Sequence, residues 1–242
     1  MVIFFVTSMI GVVTGSNSLI SVPAMFQFGV EPRVAVATNM FGLVFMAIGG
    51  SIPFVRAGKV DLKRLSPLLA VTLVGSAIGA AIVGAISDNS MKWIVTAAIV
   101  VVSLFILTVR TRDTSRPATW MTAATGITLT FVLGIYGGLF SGGYVTILTA
   151  VLVAFYGLSF TEAIGATKII NVVSSSIAAA VFMWQGLVDY RLGVILGAAM
   201  FVGGYVGAHF ASKMSERWLR AIFFSAVLLL TVMTVLDLIK EL

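Results

Sequence analysis

An all-α polytopic membrane fold, built from two pseudo-symmetric repeats, is what this sequence predicts, and three observations carry it. The 242 residues are 60% hydrophobic and only 10% charged, with a mean hydropathy of +1.12, whereas a soluble domain carries about 25% charged residues. Several apolar stretches reach the roughly 20 residues that cross a bilayer. The chain also repeats itself at a shift of about 128 residues. "AGKVD" (57–61) meets "QGLVD" (185–189), "VGSAIGA" (74–80) meets "VGGYVGA" (202–208), and "GV" at 29–30 meets "GL" at 157–158. With small indels, "ATN" (37–39) meets "ATK" (166–168), and "SMKW" (90–93) meets "SERW" (215–218).

Each repeat opens on an apolar stretch broken by small and polar residues: "FFVTSMIGVVTGSNSLISVPAMFQF" in the first, "VLGIYGGLFSGGYVTILTAVLVAF" in the second. Residues 1–13 and 19–28 are each too short to span, so the backbone between them is expected to unwind inside the protein, where buried or cavity-lining chain is tolerated. Three uninterrupted helices follow, near 33–56, 65–86 and 92–109, then near 161–184, 191–212 and 217–238. The units are therefore 1–109, a first transmembrane repeat; 110–119, a polar linker; and 120–242, a second transmembrane repeat. Gly75/Gly79, Gly193/Gly197 and Gly203/Gly207 have the small-xxx-small spacing that lets helix backbones approach closely in lipid. The tryptophans Trp93, Trp120, Trp184 and Trp218 fall at expected helix ends, as interfacial anchors do.

Positive charge sets the expected topology. If each broken segment enters and leaves by one face, the repeats are inverted. One side then collects Arg56, Lys59, Lys63, Arg64, Arg110, Arg112, Arg116, Lys213, Arg217 and Arg220, ten against the four of Arg33, Lys92, Arg191 and Lys240. If the broken segments cross fully, the split is nine against five. The inverted arrangement fits the positive-inside rule better and puts 56–64 and 110–119 in the cytoplasm. The first Lys or Arg is Arg33, so the N-terminus has no basic region of a signal peptide and reads as a structural segment.

Several function classes are excluded by what the chain lacks. With no cysteine and one histidine, thiol chemistry and metal sites have no ligand set. No nucleophile–base pair, phosphate loop or ATPase motif is present, so no enzyme activity and no cofactor are expected. The net charge of +6 sits mostly in loops, without the aromatic-interleaved basic patch of a nucleic-acid binder. The expected partners are the lipid bilayer and a small anionic substrate, not nucleic acid, and a homodimer is compatible with the sequence.

The anion is inferred from "GATKIINVVSSS" (165–176), where Lys168 is the only formal charge between Ala163 and Trp184. With Lys168 as zero and about 100° per residue, Thr167, Asn171, Ser174 and Ser175 join it on a stripe about 120° wide. The opposite face, Ile169, Val173 and Ile177, is apolar. A lone lysine near a helix end can snorkel to the headgroups, but a stripe of five polar residues faces protein or water. An intramembrane ammonium is costly unless paired, and Glu162, Asp61, Asp88, Asp189 and Asp237 all stand at loops or helix ends. A bound anion would supply the missing counter-charge. The repeat places Asn39 beside Thr38 at the matching position. After the breaks, new half-helices begin near Leu19 and Val145 and aim unpaired N–H groups and a positive dipole end into the protein. Ser16, Asn17, Ser18, Ser141, Gly142 and Gly143 line those turns. The expected substrate-binding set is these six with Thr38, Asn39, Thr167, Lys168 and Asn171.

Across nearly the whole chain, "ISVPAM", "GVEPRVAVATN", "VRAGKVDL", "GIYGGLFSGG", "AIGATKIINVVSS" and "GLVDYRLG" resemble the sulfite exporter TauE/SafE family, the threonine–lysine–x–x–asparagine run being the most specific part. The first-half run "TGSNSLIS" departs from the glycine-richer stretch of relatives. The resemblance implies a multi-pass bacterial or archaeal plasma-membrane permease for sulfur-containing oxyanions or organosulfonates. The expectation is a secondary transporter with a midplane anion site between the repeats; a passive anion channel and a non-transporting membrane scaffold subunit are the alternatives.

Overall fold

The computed structural model describes residues 2–15, 17–108, 120–215 and six positions between 217 and 225. Among these residues every regular element is helical: α1 (Val2–Thr14), α2 (Asn17–Gln27), α3 (Pro32–Arg56), α4 (Leu62–Val83), α5 (Asp88–Thr108), α6 (Trp120–Leu139), α7 (Tyr144–Tyr156), α8 (Phe160–Trp184) and α9 (Tyr190–Lys213). The linker 110–119 and nearly all of the helix expected at 217–238 lie outside the described residues. Among the described residues four helices, α3, α4, α8 and α9, are long and apolar enough to cross a membrane.

Local chemistry explains the boundaries. Pro32 opens α3 at a position whose N–H would have no helical partner. Asp61 caps α4 by accepting from the N–H groups of Lys63 and Arg64, and Asp189 caps α9 through Leu192. Ser159 and Glu162 form a reciprocal capping box on α8. Both broken segments are present, but α2 starts at Asn17 and α7 at Tyr144, slightly earlier than expected. Asn17 and Ser18 thus lie in the first turn of α2. The arm before the second break, α6, has 20 residues against 13 in α1.

The duplication has a stricter register than letter matching suggests. The positive-φ residues described are all glycines and fall in three pairs 128 positions apart: Gly15 with Gly143, Gly29 with Gly157, and Gly58 with Gly186. Helices α3 and α8 share that offset and are both 25 residues long. A one-residue indel inside such a helix would rotate everything after it by about 100°. The match of "ATN" with "ATK" is therefore overturned. Thr38 corresponds to Ala166, Asn39 to Thr167, and Lys168 to Met40.

Helices α3 and α8 pack antiparallel. Thr38, near the start of α3, accepts a hydrogen bond from the Asp189 N–H beyond the end of α8 at 3.0 Å, while Phe54, near the end of α3, packs on Gly165 near the start of α8. Around this pair, α9 packs on α3 and α1, and its counterpart α4 packs on α8 and α6. The bundle centre is polar: Ser8, Asn17, Ser18, Ser21, Thr38, Asn39, Thr146 and the α8 stripe are all buried.

Candidate functional site

The two helix breaks meet: a hydroxyl from the second half closes the first break, and a pair of serine hydroxyls joins one break to the other. Gly15 and Gly143 adopt φ of +72° and +75°, the left-handed region glycine enters without steric cost. The Thr146 hydroxyl, in the first turn of α7, donates to the Thr14 carbonyl at the end of α1 at 2.6 Å. Across the gap, the hydroxyls of Ser18 and Ser141 lie 2.7 Å apart. Tyr136 donates its OH to the Gly142 carbonyl. These bonds give the Thr14 and Gly142 carbonyls protein partners, as unwound backbone in a low-dielectric interior requires.

Lys168 enters this junction from α8. All five members of its stripe are buried, and Lys168 itself is 2% exposed, so it does not snorkel. Its stem passes Gly50 of α3, where a built Cβ would lie 3.6 Å from the lysine Cδ. Among the described residues no carboxylate is within ion-pair distance of it. A small cavity of about 20 Å³ lies between the breaks. Gly11, Gly15, Asn17, Ser18, Ser141, Lys168 and Asn171 line it, with Leu43, Met46 and Val145 on its apolar side. That volume holds one water.

The lining is rich in donors. Asn17 Nδ2 and Asn171 Oδ1 have no hydrogen-bond partner and are buried. Ser21 donates to Asn39 Oδ1 at 2.6 Å, and Asn39 Nδ2 donates to Ser18 Oγ at 2.8 Å. The Ser18–Ser141 contact uses one hydroxyl proton, which leaves the other for an occupant of the cavity. An ammonium, an unpartnered amide N–H and a free hydroxyl proton, with no carboxylate beside them, suit a small anion. The α2 and α7 half-helices both begin here, adding the positive ends of their dipoles.

Of the residues expected at the site, Asn17, Ser18, Ser141, Lys168 and Asn171 come together in the lining. Asn39 stands behind Ser18 and orients it. Thr38 is engaged with the Asp189 backbone, and Thr167 donates to the Ile164 carbonyl at 2.7 Å within its own helix. Gly142 faces Phe140 and Leu19, and Gly143 faces Val102, so both serve the turn and not the lining. Ser16 lies outside the described residues. Sequence reasoning missed Gly11, Gly15, Leu43, Met46 and Val145. The repeat register holds the signal for two of them. Asn17 corresponds to Val145 and Asn171 to Leu43, so the cavity sits between equivalent positions that pair one polar with one apolar residue.

A direct consequence concerns Asn17→Asp. A carboxylate there, lining the same cavity as Lys168, would give the ammonium a counter-charge from the protein itself. We expect the variant to fold with a thermal midpoint at or above that of the parent and to show no anion-induced stabilisation in a thermal-shift titration.

Several proteins described as probable membrane transporters are similar to this chain over most of its length. A "Probable membrane transporter protein" of Haemophilus influenzae is 25% identical over 234 residues, covering 96% of this chain and 92% of that protein. The "Probable membrane transporter protein ORF9" of Sinorhizobium sp is 23% identical, covering 96% and 90%. The "Probable membrane transporter protein YfcA" of Escherichia coli K12 is 24% identical, covering 90% and 83%. No solved structure matches. The description "Sulfite exporter TauE/SafE" fits residues 1–234. The chain is a multi-pass membrane protein and belongs to the sulfite exporter TauE/SafE family.

Proposed function

We propose that this protein is a secondary transporter that moves a small sulfur-containing anion, of the sulfite or organosulfonate class, across the plasma membrane. The observation that carries the reading is Lys168: a buried ammonium that has no carboxylate partner among the described residues, beside an unpartnered Asn17 amide, at the junction of two helix breaks. Discontinuous helices that aim their N-termini at a midplane substrate recur in transporters. The antiparallel packing of equivalent helices α3 and α8 supports an inverted arrangement of the two repeats. A cavity with room for one water favours a carrier over a channel, which needs a continuous ion-sized path. The sulfur chemistry rests on the family.

Flux into liposomes tests the reading, with sulfite, sulfate, thiosulfate, taurine-type sulfonates and simple carboxylates as the panel. Saturable counterflow of sulfite or a sulfonate is the expected result. Conductance without saturation would replace the carrier by a channel, and a folded protein that moves no member of the panel would overturn both.

A further inference from the structure

Small residues set how closely helix backbones approach in lipid, and the two equivalent outer seams of this fold use them unequally. Along α3–α9 the contact runs through Gly42, Gly49, Gly193, Gly197 and Gly204. A Cβ built on Gly49 would lie 2.5 Å from the Phe201 carbonyl oxygen, and one on Gly204 would lie 2.6 Å from that of Met46. This is backbone against backbone. At the corresponding positions along α8–α4 stand Ile170, Ile177, Leu65, Leu69 and Ser76. With those side chains at the seam, α4 packs less extensively on α8 than α9 does on α3.

The ends of the seams differ as well. The Thr38 hydroxyl holds the Asp189 N–H on the α3–α9 side at 3.0 Å. Its counterpart on the other side is Ala166, which has no hydroxyl to offer Asp61. A pocket of about 130 Å³ lies there, lined by Lys59, Val60, Asp61, Arg64, Glu162 and Ala166 among others. The far end of the α8–α4 seam is pinned, because Gln185 Nε2 donates to the Ala80 and Ala81 carbonyls at 3.4 and 3.2 Å. Two further seams are tight and mutually equivalent. Built Cβ atoms on Gly203 and Gly207 of α9 would lie 2.6 and 2.2 Å from the Phe5 and Met9 carbonyls of α1, and those on Gly75 and Gly79 of α4 would lie 2.7 and 2.0 Å from the Phe131 and Ile135 carbonyls of α6.

We propose that the working division of the molecule does not follow its sequence repeats. Helices α1, α9 and α3 form one rigid unit, and α4 with α6 forms the other. The seam between α4 and α8 is the one that moves during transport, hinged at Gln185 and opening at the pocket beside Ala166. Substrate access to Lys168 is thereby controlled by α4–α6 rocking as a body. This rests on the transporter reading above.

The chain has no native cysteine, so paired cysteines report cleanly. Ser76 Oγ and Ser174 Oγ are 2.7 Å apart across the moving seam, and a Cβ built on Gly42 lies 3.6 Å from the Leu196 Cβ across the static one, both within disulfide reach. Oxidised Ser76→Cys/Ser174→Cys should lose sulfite counterflow by about tenfold and recover it on reduction, whereas oxidised Gly42→Cys/Leu196→Cys should keep at least about half. Undiminished flux in the fully cross-linked first pair, or equal loss in both, overturns the proposal. A readout that needs no anion separates this from failure of the transporter reading. Spin labels in liposomes at Leu62→Cys/Thr161→Cys and at the equivalent Arg33→Cys/Tyr190→Cys should give a broad or two-peaked distance distribution for the first pair and a single narrow one for the second. Equal widths overturn the moving seam whether or not the parent carries sulfite.

Discussion

Lys168→Met should leave the ligand-free protein as stable as the parent or more so, while anion binding falls by about 10- to 100-fold. Both halves of the result follow from one observation: the ammonium is buried with no carboxylate partner among the described residues. Replacing a buried charge by an apolar side chain of similar length removes a desolvation cost and keeps the packing against Gly50. A hydrogen bond to a charged ligand contributes about 1.5–3 kcal/mol, and about 1.4 kcal/mol is tenfold in affinity. Methionine is the informative choice, since alanine would add a cavity and blur the sign. Thermal midpoints with and without sulfite or a sulfonate check it. A midpoint that drops by many degrees in the ligand-free variant would mean that Lys168 serves a structural partner. Unchanged binding would remove the site.

Among the described glycines, Gly79→Ala should be one of the most damaging single-methyl changes. Its Cβ would sit 2.0 Å from the Ile135 carbonyl oxygen and 2.8 Å from the Leu139 nitrogen. Those atoms belong to the α6 backbone and cannot rotate aside. Overpacking of this kind costs about 3 kcal/mol or more, the upper end of what core insertions cost. The equivalent Gly207→Ala, with 2.2 Å to the Met9 carbonyl, should behave alike. Gly58→Ala is the control: nothing lies within 4 Å of its Cβ, and only its φ of +65° resists substitution, for about 1–2 kcal/mol. Yield of monodisperse protein in detergent and the thermal midpoint should rank Gly79→Ala and Gly207→Ala well below Gly58→Ala. Equal behaviour would show that these seams are looser than the built distances say.

What the sequence revealed and what it hid have the same physical origin. Hydropathy, the Gly-rich breaks and the helical wheel of 165–176 are one-dimensional signals, and they located α1 to α5, α7 to α9, both breaks and the buried stripe around Lys168, while the helix expected at 217–238 lies outside the described residues. The partner of Lys168 in the other half was misplaced because "ATN" and "ATK" match by letters, one residue out of register. The glycines Gly15/Gly143, Gly29/Gly157 and Gly58/Gly186 carried the true offset, since a left-handed turn tolerates few other residues. The apolar lining, Leu43, Met46 and Val145, was not legible, because an apolar residue in a membrane chain has no local mark of facing a cavity. Nor was the direction of Gly142 and Gly143. A glycine beside a polar break supplies either a ligand's backbone contact or room for a neighbour, and only the third dimension distinguishes them.

The hydroxyls that close the two breaks also bear on how the chain is made. Thr14 is synthesised 132 residues before the Thr146 that caps its carbonyl, and Ser18 is separated from Ser141 by 123. During that interval the first half sits in or at the bilayer with an unwound segment whose polar backbone the lipid cannot satisfy. A nascent first half is thus an unfinished object, held near water or by the insertion machinery until its counterpart arrives. The stitch between the breaks makes the last step of assembly a joining of halves, and truncated chains ending before residue 141 should be the ones that membrane quality control removes.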